Sequence, residues 1–259
     1  MRQDERRKYL IEKLLEEKPV FDYRDVFRSV DTQKRALRSL MNIRRAAPVS
    51  EEFVKVQDDY LGEVREERGV VDIRELREIK PLTYLWQGDI TRLRCGAIVN
   101  AANSGMTGCY IPCHNCIDNC IHTYAGIELR SYCQKMMDEQ GCEEATGQAK
   151  ITPAFNLPCS YIIHTVGPIV DGRLTEAHEE ALRSCYMSCL NKAEEYSVGS
   201  VAFCCVSTGV FGFPNQRAGE IAVETVRSFR EQTGSRIEVI FNVWKDIDYE
   251  IYEKLLREC

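Results

Sequence analysis

No run of apolar residues in this 259-residue sequence is long enough to span a bilayer, so membrane insertion is not expected. The first residues, MRQDERRKYL, lack the apolar stretch and small-residue cleavage site of a secretory leader, and the expected location is the cytoplasm. Surplus positive charge is also missing: 34 Lys and Arg against 40 Asp and Glu leave a net charge of −6. A sequence-independent grip on DNA or RNA needs clustered cations, so polymeric nucleic acid is not an expected partner. A small anion is not excluded, because converging backbone N–H groups bind phosphate without net positive charge. There is no internal repeat and no low-complexity segment. Histidine is scarce, with four residues, whereas cysteine is not, with thirteen. An odd count, an adjacent Cys204-Cys205 pair and no secretory context favour free thiols and a metal site over disulfides.

What is present is an ordinary globular composition, 44% hydrophobic and 29% charged, in a chain longer than one usual domain and shorter than two. Residues 1–80 are charge-rich and helical in pattern. Tyr9, Leu10, Leu14 and Leu15 form one apolar stripe, Leu37, Leu40 and Met41 a second, and Phe53, Tyr60, Leu61 and Val64 a third. No chemical motif lies there, so this segment reads as a helical extension packed on a main domain of residues 81–259, or as a docking element for a partner. From Leu82 onward short apolar runs alternate with amphipathic segments, the texture of an α/β layer fold. Strands are expected at Leu82–Trp86, Ala97–Asn100, Tyr161–Val166, Val201–Val206 and Ile237–Val243. Helical spacing covers Ile117–Met137, Leu174–Ala193, Arg217–Arg230 and Tyr249–Arg257. The expected fold class is α/β, a central mixed sheet with helices on both faces.

Three segments carry chemistry. The first begins with Gly88-Asp89-Ile90-Thr91 after a strand and continues with Asn100-Ala101-Ala102-Asn103. Small Ala residues let a sugar approach the backbone, and Asn amides offer donors and an acceptor to its hydroxyls. Asp89 is suited to accept from an exocyclic amine, or simply to close a turn. In another segment, Ser207-Thr208-Gly209-Val210-Phe211-Gly212-Phe213-Pro214 lies between a strand and a helix, where an α/β sheet places its ligands. Its glycines let N–H groups curl toward phosphate oxygens, and Phe211 can stack on a ring or close over a diphosphate. Between these two lies a stretch with four thiols and two imidazoles in fourteen residues, Cys109 to His122. Soft thiolate mixed with imidazole suits zinc.

With His164-Thr165-Val166-Gly167-Pro168, these pieces stand in the order and spacing of macrodomains, and over about 180 residues the chain resembles that family. The resemblance implies a three-layer α/β/α fold that binds ADP-ribose. Asp89 and Ile90 would lie at adenine, and Ser207, Thr208, Gly209, Val210 and Phe211 around the diphosphate. Asn103, Ile117 and Asp118 would lie near the distal ribose. His164, in a strand, reads as a core or hydrogen-bonded histidine. Where metal-free macrodomains carry a glycine-rich stretch, this sequence has its thiol-rich one, similar to the zinc-containing macrodomains sometimes found beside sirtuin-like transferases. By that likeness the ligands are Cys109, His114 and Cys116, which would leave a fourth position open. If Cys113 also bound, the shell would be closed and the zinc structural. The spacing puts Cys120 with Ile117, Ile121 and Tyr124 on a buried stripe, as a core thiol, and His122 off that stripe, facing solvent or a local hydrogen-bonding partner.

Asp118 either complements a helix dipole or matches the acidic residue of hydrolytic macrodomains. The expected activity is zinc-dependent removal of mono-ADP-ribose from protein side chains, ester-linked to Asp or Glu, with Asn103 and Asp118 as catalytic residues. The alternatives are a reader that binds without cleaving, an O-acetyl-ADP-ribose deacetylase, and a nucleic-acid module with structural zinc.

Overall fold

The computed structural model describes residues 1–17 and 26–258. Three helices come first: α1 (Gln3–Glu17), α2 (Val30–Ile43) and α3 (Glu51–Arg68). Local chemistry sets their ends. Ser29 caps α2 in a reciprocal box with Thr32. Ser50 caps α3, whose first turn is acidic (Glu51, Glu52) and last turn basic (Arg65, Arg68), in line with the helix dipole. The three helices enclose a small core of their own, which includes Leu10, Leu14, Leu37, Leu40, Phe53 and Tyr60, and Ile127 of the main domain joins it. Leu10→Ala is expected to cost about 2–5 kcal/mol, read as a lowered midpoint in thermal unfolding, because its side chain is fully enclosed.

The strands are β1 (Val71–Asp72), β2 (Glu78–Lys80), β3 (Thr83–Gln87), β4 (Leu93–Arg94), β5 (Ala97–Ala102), β6 (Ala149–Pro153), β7 (Tyr161–Val166), β8 (Ser200–Phe203) and β9 (Glu238–Val243). Seven of them form one mixed sheet in the order β2-β3-β9-β8-β5-β7-β6. The five central strands are mutually parallel, while β2 and β6 run antiparallel at the edges. The remaining helices are α4 (Ile117–Ala125), α5 (Ile127–Gln140), α6 (Glu176–Glu195), α7 (Asn215–Thr233) and α8 (Asp246–Glu258). Helices α6, α7 and α8 pack side by side, with α6 and α8 against the sheet; α4 packs on β5 and α5 on β6, and α2 and α3 lie against α4. The expected α/β/α layering is therefore present, with the extension as a further helical layer. Continuous apolar runs such as Ala97–Val99 are buried because parallel strands are covered on both faces. Among the described residues no helix is long and apolar enough to cross a membrane.

Residues 71–80, counted above with the extension, hold β1 and β2, which pair with β4 and β3 of the main domain. Strand β6 was not among the expected strands: as an edge strand it carries Lys150 and ends in Pro153, so it lacks an apolar run. The expected helix over 117–137 is two helices, broken at Gly126, whose φ of 102° favours glycine. No side chain of its own caps α5 there, and Gln57 of α3 supplies the acceptor, taking the Ile127 N–H at 2.9 Å.

Candidate active site

The carboxyl ends of β3, β5 and β8 lie at one edge of the sheet, so the segments that follow them share one side of the molecule. After β5, Asn103 donates to the Gly108 carbonyl at 3.2 Å and to Asp118 Oδ2 at 3.4 Å. Asn100, within β5, donates to Asp118 Oδ1 at 2.8 Å. Asp118 is 5% exposed, at the start of α4. Burial pushes its pKa up from 3.8 to about 6, against the hydrogen bond from Asn100 and the Arg130 charge, which both pull it down. A carboxyl held by two amides and poised near neutrality can exchange a proton with a reacting group.

Cys109 Sγ lies 3.6 Å from His114 Nδ1. The ligand atoms of Cys109, His114 and Cys116 all fall within 4.8 Å of one another. For a tetrahedral zinc with ordinary Zn–S and Zn–N lengths, geometry requires about 3.6 Å between a thiolate and an imidazole ligand. The residues present thus fit the ion that the donor chemistry implies. Cys116 is also the N-cap of α4, its sulfur accepting from the Asn119 N–H at 3.4 Å. Burial nevertheless pushes its thiol up to about 12, so a metal must displace its proton on binding. Cys113 is turned the other way: its backbone sits at φ 53°, its N–H donates to Asn42 Oδ1 at 2.9 Å, and its thiol reaches the Arg35 carbonyl at 3.4 Å.

Two expectations for α4 are overturned. Cys120 is half-buried beside Arg38, 3.6 Å from its guanidinium, and not a core thiol. His122 is buried, and neither ring nitrogen has a hydrogen-bond partner among the described residues. The helix is turned so that Asp118, Ile121, His122 and Ala125 form the enclosed stripe, and α2 and α3 cover a second face. A Cβ at Gly108 would strike the His122 ring at 2.7 Å, so the thiol-rich loop presses directly on that imidazole. His164 is buried as expected, between Asn100 (3.1 Å) and Thr152 (3.0 Å), and burial lowers its pKa to about 3, which keeps the ring neutral.

Asp89 closes the turn Ile90–Arg92, accepting from the Thr91 N–H at 3.0 Å and its hydroxyl at 2.6 Å. Its other oxygen is ion-paired with Arg68 of α3, whose guanidinium also bonds the Thr91 hydroxyl and stacks 3.5 Å above the Tyr124 ring. An exocyclic amine at Asp89 would therefore share the carboxylate with Arg68. Ile90 is buried and Ile117 half-buried. Behind β8, Ser207 takes a positive φ of 66° and Val210 is 85% exposed. Thr208 and Phe211 are half-buried and Gly209 is exposed. The turn is pinned by Phe213 N–H to the Ser207 carbonyl (3.0 Å) and Val170 N–H to the Phe211 carbonyl (2.8 Å). Among the described residues the N–H groups of Gly209, Val210 and Phe211 donate to no protein acceptor, leaving donors of the kind that bind anions.

Sequence reasoning missed Asn100 as the second amide on Asp118, although it stands in the quoted Asn-Ala-Ala-Asn. It also missed Arg38, Asn42 and Arg130, which hold the loop and carry no local signal.

A family model described as the Macro domain matches residues 99–222. A protein-ADP-ribose hydrolase of Treponema medium is 52% identical, over 99% of this chain and 100% of that protein. A protein-ADP-ribose hydrolase of Staphylococcus aureus (strain MSSA476) is 47% identical, over 84% of this chain and 82% of its own length. Among solved structures, the Trypanosoma brucei macrodomain in complex with ADP-ribose aligns with a TM-score of 0.66 at 29% identity, covering 85% of this chain and 94% of that one. The Oceanobacillus iheyensis macrodomain with ADP aligns with a TM-score of 0.63 at 34% identity, covering 71% and 94%.

Proposed function

This chain belongs to the macrodomain family, and from that premise we propose that it is a zinc-dependent hydrolase that removes mono-ADP-ribose from modified protein side chains, ester-linked to Asp or Glu. The hydrolase part is supported by the likeness to protein-ADP-ribose hydrolases along almost the whole chain. The metal part is carried by one observation: the Cys109, His114 and Cys116 donors converge within 4.8 Å of one another, with Asp118 near enough for its charge to act on the Cys116 thiol. Three protein ligands leave one position open, and a zinc ion held there would act as a Lewis acid that orients and polarises ribose or water oxygen.

The chain's own residues do the rest. Asp89 and Ile90 receive adenine, with Arg68 sharing the Asp89 carboxylate. The N–H groups of Gly209, Val210 and Phe211 donate to the diphosphate oxygens, with Ser207 and Thr208 completing the turn. Asn103 holds ribose hydroxyls, with Ile117 beside the sugar. Asp118 orients the attacking water and takes its proton. The water oxygen bonds to C1 of the distal ribose, the bond from that carbon to the side-chain oxygen breaks, and the Asp or Glu departs as carboxylate. The twelve described cysteines are free, in keeping with the reducing cytoplasm as the proposed location. Similarity of the loop to macrodomains found beside sirtuin-like transferases points to an enzyme of that class as the source of the modification.

The test is release of ADP-ribose from a carrier protein mono-ADP-ribosylated on Asp or Glu, before and after zinc is stripped with a chelator. The expected result is release that disappears on stripping and returns with added zinc. Tight binding of ADP-ribose with no release by the zinc-loaded protein would make this a reader. Preference for O-acetyl-ADP-ribose in direct competition would make it a deacetylase.

A further inference from the structure

Residues 103–116 form a long stretch without helix or strand, with three positive-φ residues, Met106, Gly108 and Cys113. Such a stretch cannot hold three side chains in register by itself, because its backbone groups lack ladder partners and its conformations are many. Fastenings come from outside it: Asn119 of α4 donates to the Cys109 and Ile111 carbonyls at 3.3 and 3.0 Å, and further ones come from the N-terminal extension. Arg38 of α2 donates to the His114 carbonyl at 2.7 Å and to Asn119 Oδ1 at 3.2 Å. Asn42, at the end of the same helix and 1% exposed, accepts the Cys113 N–H and donates to the Thr123 hydroxyl at 2.8 Å. Its grip holds Cys113 in the left-handed backbone conformation that turns its thiol aside and carries the chain on to His114.

Buried Arg130 of α5 locks the two parts together. Its guanidinium donates to the Thr107 carbonyl at 2.7 Å and the Cys109 carbonyl at 3.4 Å on the loop side. On the other side it donates to the Asn42 carbonyl at 2.6 Å and to the Met41 and Arg44 carbonyls, the acceptors that the end of a helix leaves unpaired. Both residues at the 3.6 Å S···N contact, Cys109 and His114, thus have their backbone carbonyls held by arginines, one of them on α2 and the other anchored to it.

We propose that α2 of the extension is the latch of the metal-binding loop, with Arg38 and Asn42 as positioning residues that bring Cys109, His114 and Cys116 to one point. The inference deepens the zinc reading and rests on it for the ion, but the latch itself is a statement about the loop. The extension then belongs to the active site, since outer partners of metal ligands set the orientation and so the affinity of the site.

The test uses the full chain with Arg38→Ala and Arg38→Lys, and reads amide hydrogen exchange and zinc affinity by competition with a chromophoric chelator. In Arg38→Ala, exchange in residues 107–116 is expected to rise about tenfold for loss of a charged hydrogen bond. The amides of α6 and α7 should stay as in the parent, which separates a released loop from general unfolding. Zinc affinity should fall about 10–100-fold, with Arg38→Lys retaining part of both. Exchange of residues 107–116 equal to the parent would overturn the latch, as would released loop amides with zinc affinity within about twofold of the parent. A parent that binds no zinc would remove the metal reading, and the exchange data would still decide whether α2 holds the loop.

Discussion

Replacing His114 or Cys109 with Ala is expected to abolish release of ADP-ribose and to leave the purified protein without zinc. Three donors within 4.8 Å of one another are the minimum that an open tetrahedral site needs, and two do not hold the ion against water. Measured together, metal content and single-turnover release should both fall to background; undiminished turnover by a zinc-free variant would reject the mechanism. His114 and Cys109 are cleaner tests than Cys116, whose sulfur also caps α4, so its loss mixes metal effects with helix destabilisation. Cys113→Ser is the matching control. Its thiol faces the Arg35 carbonyl and not the cluster, so zinc content should match the parent. A halved or lost zinc content in that variant would instead mean a closed four-ligand site.

Asp118→Asn should lower kcat about 10²–10⁴-fold, the usual loss for a positioned acid or base, while ADP-ribose still binds. Asn keeps an oxygen for the Asn100 amide, so the shorter of the two hydrogen bonds survives and only the 3.4 Å bond from Asn103 is lost. The variant removes a group whose ionisation works against folding. With the folded pKa raised from 3.8 to about 6, the carboxylate form is favoured in the unfolded chain, so stability falls as pH rises through that interval. In zinc-free protein, Asp118→Asn should therefore match the parent below about pH 4 and exceed it above about pH 6. A variant equally stable or more so but slow marks a residue kept for chemistry. Full activity in Asp118→Asn would remove it from the mechanism and leave the water to be activated by other groups.

The helices of the extension could be read from their apolar stripes, because each needs only a 3.6-residue period. Strands β5, β7 and β9 were legible because central parallel strands read as continuous apolar runs. Edge strands β2 and β6 were not, since half their surroundings are solvent and they need little apolar character. In α4 the same periodicity misled: Cys120 and His122 exchanged places because a helix enclosed on two sides has no single apolar stripe. The soft-donor cluster between Cys109 and His122 could be singled out because thiols and imidazoles so closely spaced are a local signal, whereas the choice of Cys109, His114 and Cys116 within it came from the family likeness.

The sequence by itself determined the fold class, the donor types and the segments that surround the site, since all of these depend on neighbours a few residues apart. Tertiary structure alone decided that Cys113 turns away, that Asp118 lies between two amides, and that Arg38 reaches a carbonyl 76 positions later in the chain. Such contacts depend on how distant elements pack and on which groups that packing strips of water, and no local pattern encodes either.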